Sequence, residues 1–158
     1  MSVLLDTGLR VSEVANLGLE EVDMTTGAML ARHRKGSKQR IVRIGSKAQK
    51  ALWRYVTIYR RRDSDALFLS RSGESLNVVG LKILVRHLTQ KAGVKVHVHK
   101  LRHMFAISYP RNGGDVFTLQ HLLGHATLQM TQRYLQRSSD DDAAKAHRKF
   151  SPLDNIKI

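Results

Sequence analysis

Apolar residues recur at helical spacing along much of this chain, and glycines, polar caps and one internal proline punctuate them. Val11, Val14, Ala15 and Leu17 define a short amphipathic helix after a turn at Gly8. Two strand-like runs follow, residues 28–33 and 39–44. Arg34-Lys35-Gly36-Ser37-Lys38 joins them, and its glycine and polar residues suit a hairpin turn. Residues 46–62 predict a helix with Ala51, Leu52, Tyr55, Val56 and Tyr59 along one side. A third strand is expected at 66–70, before the Ser72-Gly73 turn, and then a helix over 77–92 closed by Gly93.

The last third reads as short, well-punctuated helices. One covers about 99–109 and is expected to stop or bend near Pro110, ahead of Gly113-Gly114. Asp115 suits the N-cap of a helix over 116–123 that Gly124 ends. Thr127 can cap a further helix to about 136, and Ser139 one that starts in the acidic run Asp140 to Asp142. With no repeat, low-complexity tract or linker, residues 1–158 form a single α+β domain. It is mostly helical, with a small three-stranded antiparallel sheet expected.

Composition narrows the class. Hydrophobic residues at 42% and charged residues at 25% are ordinary for a globular domain and exclude a disordered basic tail. The absence of cysteine excludes disulfides and thiolate metal sites. No apolar run approaches the roughly 20 residues of a membrane span, and no secretory signal opens the chain. A cytoplasmic protein is expected. Twenty-seven Lys and Arg against 13 Asp and Glu give a net charge of +14, which points to a polyanionic partner, nucleic acid first. The basic residues are spread from Arg32 to Arg102, including Arg60, Arg61 and Arg62, so a broad binding face fits better than a detachable arm.

Six residues carry candidate chemistry: Arg10 in Thr7-Gly8-Leu9-Arg10, Lys35 in the hairpin turn, His99 and Arg102 in His99-Lys100-Leu101-Arg102-His103, His125 in Leu122-Leu123-Gly124-His125, and Tyr134. Each has an ordinary structural reading. An arginine after a turn is commonly a surface residue, and Tyr134 could be a core aromatic like Tyr55 or Tyr59. In this order and local context, however, the set resembles the tyrosine recombinases, the phage-type integrases, over about residues 2–137.

The residue types suit phosphodiester chemistry. Two guanidinium forks, Arg10 and Arg102, can grip the non-bridging oxygens and stabilise the charge that develops on them. A phenol with a pKa of about 10 needs such cations before Tyr134 becomes a nucleophile. His125 can donate to the phosphate, His99 can help take the tyrosine proton, and Lys35 can protonate the leaving 5′ oxygen. Lys38 is the rival for that last role. The resemblance implies a 3′-phosphotyrosine intermediate on double-stranded DNA, without metal, cofactor or ATP, and self-association into a tetramer in a synapse. Arg34, Lys38, Arg40 and Lys100 are expected to contact DNA. Glu13 is expected to orient the helix bearing Arg10, and Phe105 and Ala106 to pack the helix bearing Arg102. The pairs His97/His99, His99/His103 and His121/His125 have metal-like spacing, but no glutamate follows the first histidine of the helical pairs, so no zinc site is expected.

Two departures bear on activity. Arg10 follows closely on Met1, whereas full-length members of the family carry an amino-terminal domain that clasps the DNA, so a truncated catalytic domain is expected. Pro110 stands where the family usually has an aliphatic residue, and is expected to end its helix early and tilt the segment after it. Residues 138–158 lie beyond Tyr134 and are expected to exchange between protomers through Phe150, Leu153 and Ile156, with packing in cis as the alternative. Two other functions remain open to the sequence: a type IB topoisomerase, or a non-catalytic DNA-binding fragment that regulates a full-length recombinase.

Overall fold

The computed structural model describes residues 1–32, 39–60 and 64–135, with side chains described to residue 132. The hairpin turn with Arg34, Lys35 and Lys38, the pair Arg61 and Arg62, the Tyr134 side chain and everything after residue 135 fall outside it, including the Asp140–Asp142 run and Phe150, Leu153 and Ile156.

The described residues form α1 (Ser2–Thr7), α2 (Val11–Ala15), β1 (Ala28–Ala31), β2 (Arg40–Arg43), α3 (Ser46–Arg54), α4 (Val78–Lys91), α5 (Val98–Arg111), α6 (Val116–Leu123) and α7 (Leu128–Leu135). Asp115 and Gly124 bound α6 as the sequence placed them, and Asn77, expected within a helix, is the N-cap of α4. Asn77 accepts the Gly80 amide at the start of α4, and Asp115 accepts the Phe117 and Thr118 amides at the start of α6. Helix α1 adds an element that the sequence pattern did not mark. Its Asp6 carboxylate accepts the Gly45 amide at 2.6 Å, tying α1 to the start of α3.

Two expectations are corrected. The described sheet has two strands, β1 and β2, paired antiparallel from Ala28↔Arg43 to Ala31↔Arg40. The expected third strand at 66–70 makes only isolated bridges, Gly18↔Ala66 and Leu69↔Ser75. Its backbone bonds are divided: Leu67 N donates to Leu17 O, while Leu76 N donates to Phe68 O on the other side. Each contact stays a single bridge, and the partners are residues 17–19 and 74–76 instead of β1 or β2. The helix expected over 46–62 is regular only to Arg54 and widens into a π-helical turn at Tyr55–Tyr59, closed by Arg60 N donating to Tyr55 O. The Tyr55 side chain is drawn to the 66–70 segment. Its hydroxyl accepts the Leu69 amide at 3.1 Å, and its ring lies 5.7 Å from that of Phe68. As expected of a helix that stops near Pro110, α5 ends at Arg111. Pro110 cannot donate to the carbonyl four residues back, which weakens the last turn where the helix ends.

One large core joins α1 to α5 and the sheet around Leu9, Val14, Met29, Val42, Leu67 and Val85. A smaller cluster of Ala106, Leu119 and Leu123, each fully buried against Phe105 and Tyr109, clamps α6 onto α5. Full burial of each leucine contributes about 1.5–3 kcal/mol. Gly8 lies beneath this second cluster at φ 62°, where a Cβ would stand 2.3 Å from the Phe105 ring, so the α1–α2 turn can be closed only by glycine. This packing fixes the C-terminal end of α6, around which the candidate site is built.

Candidate active site

A helix C-terminus leaves carbonyls without helical partners and carries partial negative charge. At α6, the last three such groups each receive a different arginine. Arg40 Nε donates to Leu122 O at 2.7 Å, Arg102 Nη2 to Leu123 O at 2.7 Å, and Arg10 Nη2 to Gly124 O at 3.3 Å. The three come from β2, α5 and the N-cap of α2, segments far apart in the chain. Three cations are thus gathered next to His125, the residue that follows the helix cap.

Arg102, 9% exposed, also donates through Nη1 to Gly8 O, which links it to the turn before Arg10. Its Nη2 lies 3.0 Å from His125 Nε2. A guanidinium has donors only, so this bond makes Nε2 the acceptor and puts the imidazole proton on Nδ1. Nδ1 is 3.0 Å from the hydroxyl of Thr131, which is fully buried on α7 and accepts that proton. Burial, then the charges of Arg102, Arg10 and Arg40, lower the His125 pKa to about 4. His125 is therefore neutral and fixed in one tautomer in the DNA-free protein.

Glu13 holds the other side. Its Oε2 accepts the Arg10 backbone amide at 2.7 Å, and its Oε1 accepts Arg10 Nη1 at 3.2 Å. This capping box starts α2 and orients the Arg10 side chain together. The same carboxylate receives Arg40 through two bonds of 2.9 Å. Burial pushes the Glu13 carboxyl up, but the bonds from Arg40 and Arg10 outweigh it and hold the pKa below its ordinary value.

The structure thus brings Arg10, Arg102 and His125 together. His99 is exposed on the first turn of α5, three residues before Arg102 and so on the same helix face; Lys100 beside it is also exposed. Tyr134 lies in α7, the helix that carries Thr131, and its side chain is outside the described residues, as are Arg34, Lys35 and Lys38. Arg40 departs from expectation. It is 6% exposed and its guanidinium is occupied by Glu13 and Leu122, an interior position in place of the surface one expected. Thr131 was not singled out from the sequence. Among the described residues, no group of three or more His, Asp or Glu side chains could hold a metal ion, and no helix is long and apolar enough to cross a membrane.

Residues 1–140 match the phage integrase family. The tyrosine recombinase XerC of Listeria welshimeri is 37% identical over 142 residues, 85% of this chain and 47% of that protein. The solved structure of XerA recombinase superposes with a TM-score of 0.81 at 37% identity, covering 96% of this chain and 56% of that one. The Tn1549 transposon integrase, solved in complex with transposon right end DNA, has a TM-score of 0.77 at 19% identity, covering 94% and 57%, and shares the fold. The chain spans about half the length of the curated relatives it matches. With this match over most of its length, and with arginines and a histidine gathered at one helix end, the chain belongs to the phage integrase family of tyrosine recombinases.

Proposed function

We propose that the chain is the catalytic portion of a site-specific DNA recombinase that cuts and rejoins strands through a 3′-phosphotyrosine intermediate. The observation that carries this reading is the convergence of Arg10, Arg102 and His125 on the end of α6. In the first step the Tyr134 oxygen attacks the scissile phosphorus and gives up its proton to His99. Arg10 and Arg102 neutralise the non-bridging oxygens, where the transition state gathers charge. The bond from phosphorus to the 5′ oxygen breaks, and Lys35 supplies the proton that leaves a 5′-hydroxyl. Attack by another strand's 5′-hydroxyl on the phosphotyrosine reverses the sequence, so the bond energy is conserved and neither ATP nor metal enters. Covalent catalysis here divides one difficult displacement into two.

His125 has a specific part. Its Nε2 accepts from Arg102 in the DNA-free site. An anionic phosphate raises the imidazole pKa and favours a proton on Nε2, which then donates to the phosphate oxygen. On this reading the protein works in the cytoplasm on double-stranded DNA and self-associates there, with residues 138–158 exchanged between protomers. Sedimentation showing only monomer with and without DNA would refute that exchange.

The test uses a library of nicked duplexes randomised across their central segment, so that cleavage is trapped as a covalent adduct whatever the target sequence. The expected result is a protein–DNA band on a denaturing gel that Tyr134→Phe abolishes. Shifted native-gel bands without any adduct would support the second reading, a DNA-binding fragment that does not cleave.

A further inference from the structure

We propose that Arg40 is a positioning residue of this site, which holds Arg10 in its cleavage geometry through Glu13. The inference rests on the strand-transferase reading above and assigns Arg40 no contact with DNA.

Arg40 opens β2, where the strand alternation turns it inward with Val42 while Ile41 and Arg43 face outward. Its two Nη atoms meet the two Glu13 oxygens at 2.9 Å each. Such a two-pronged fork fixes the plane of the carboxylate as well as its distance. Those same two oxygens are the ones that accept from Arg10, Oε2 from its backbone amide and Oε1 from its Nη1. Glu13 is therefore a bridge between a buried arginine and one whose side chain is 31% exposed at the site. The third donor, Nε on Leu122 O, anchors the bridge to the α6 terminus that also receives Arg10.

Without Arg40, the carboxylate keeps only the Arg10 bonds among the described residues, and its plane is no longer set. Arg10 and Glu13 can then turn as a pair away from Gly124 O. A lysine offers a point charge in place of a planar fork and cannot hold both carboxylate oxygens and the carbonyl together. The charge of the site is maintained in Arg40→Lys, so any loss there reports geometry.

The test takes a nicked duplex recovered as an adduct-former from the randomised library. Arg40→Lys and Arg40→Met are made alone and combined with Arg10→Lys. Adduct formation is followed in single turnover at saturating protein, and affinity for the same duplex by fluorescence anisotropy. Arg40→Met is expected to slow adduct formation about tenfold or more, with Kd changed less than about threefold. On the Arg10→Lys background the same change should alter the rate less than about threefold, since the group being positioned has gone. An equal loss on both backgrounds, or a loss confined to Kd, overturns the proposal. If Arg40→Met does not fold, Arg40→Lys carries the comparison.

A second readout needs no activity. In the DNA-free chain labelled with 15N-arginine, Arg10 should show guanidinium signals slowed by its partners. These should collapse to a single averaged signal in Arg40→Met, and persist in Arg43→Met, which alters an exposed neighbour on the same strand. Unchanged Arg10 signals in Arg40→Met overturn the proposal. A wild-type chain that forms no adduct with any duplex refutes the strand-transferase reading instead, and the Arg10 signals then decide the positioning role alone.

Discussion

Gly124 and Gly93 offer a matched comparison. Both follow a helix in the left-handed region, at φ 62° and 72°. Alanine at either position incurs the left-handed penalty, about 1 kcal/mol. The surroundings differ. A Cβ at Gly93 meets nothing within 4 Å, whereas at Gly124 it would stand 2.9 Å from Arg40 Nη1 and 3.1 Å from its Cζ. An exposed arginine would swing aside at little cost. This one is gripped by Glu13 and Leu122, so moving it breaks at least one charge-assisted bond, about 1.5–3 kcal/mol. Gly93→Ala should therefore destabilise the chain by about 1 kcal/mol, and Gly124→Ala by about 2.5–4 kcal/mol. For a domain of this size, 1 kcal/mol lowers Tm by roughly 2–4 °C, so Gly124→Ala should melt lower than Gly93→Ala by at least about 3 °C. Thermal melts followed by circular dichroism measure both. Equal melting temperatures would refute the claim that Arg40 is pinned at the end of α6.

The His125 pKa of about 4 lies below its ordinary 6.5, so the folded protein favours neutral imidazole. The unfolded chain binds more protons between these values, and stability contributed by His125 is expected to fall as pH drops from 6.5 towards 4, softened by partial solvent exposure. NMR titration of the ring should find it neutral at pH 5 in the DNA-free protein, and a midpoint near 6.5 would contradict the packing described. Thr131→Val removes the acceptor of the Nδ1 proton and should cost about 1–3 kcal/mol in urea denaturation, with an unchanged value counting against the tautomer assignment. Duplex affinity should fall linearly in log–log form with salt, by a slope of about 0.9 for each phosphate contacted; a flat dependence would argue against a phosphate-dominated interface.

Local chemistry in the sequence marked the features that local chemistry controls. Asp115 and Gly124 announced their helix ends because each supplies an acceptor or a left-handed backbone that no neighbour needs to provide. The third strand was not legible, since the segment meets residues 17–19 and 74–76 at single bridges and does not join β1 or β2. The π-helical turn likewise depends on Tyr55 meeting Leu69 and Phe68. In the site, Arg10, Arg102 and His125 stood out by motif. Arg40 was misread because a basic residue beside a polar turn looks like surface. The alternation with Val42 was the available signal, since it puts both residues on one face of β2. Thr131 carried no signal, because a threonine becomes important only once His125 is seen beside it.

The most direct test of the account is to locate the covalent bond. An adduct formed on a nicked duplex is digested with protease and nuclease, and the modified peptide is sequenced by mass spectrometry. The account predicts a 3′-phosphotyrosine at Tyr134 and a 5′-hydroxyl on the released strand. A nucleotide attached to any other residue, or a 5′-phosphate on the released strand, would contradict it.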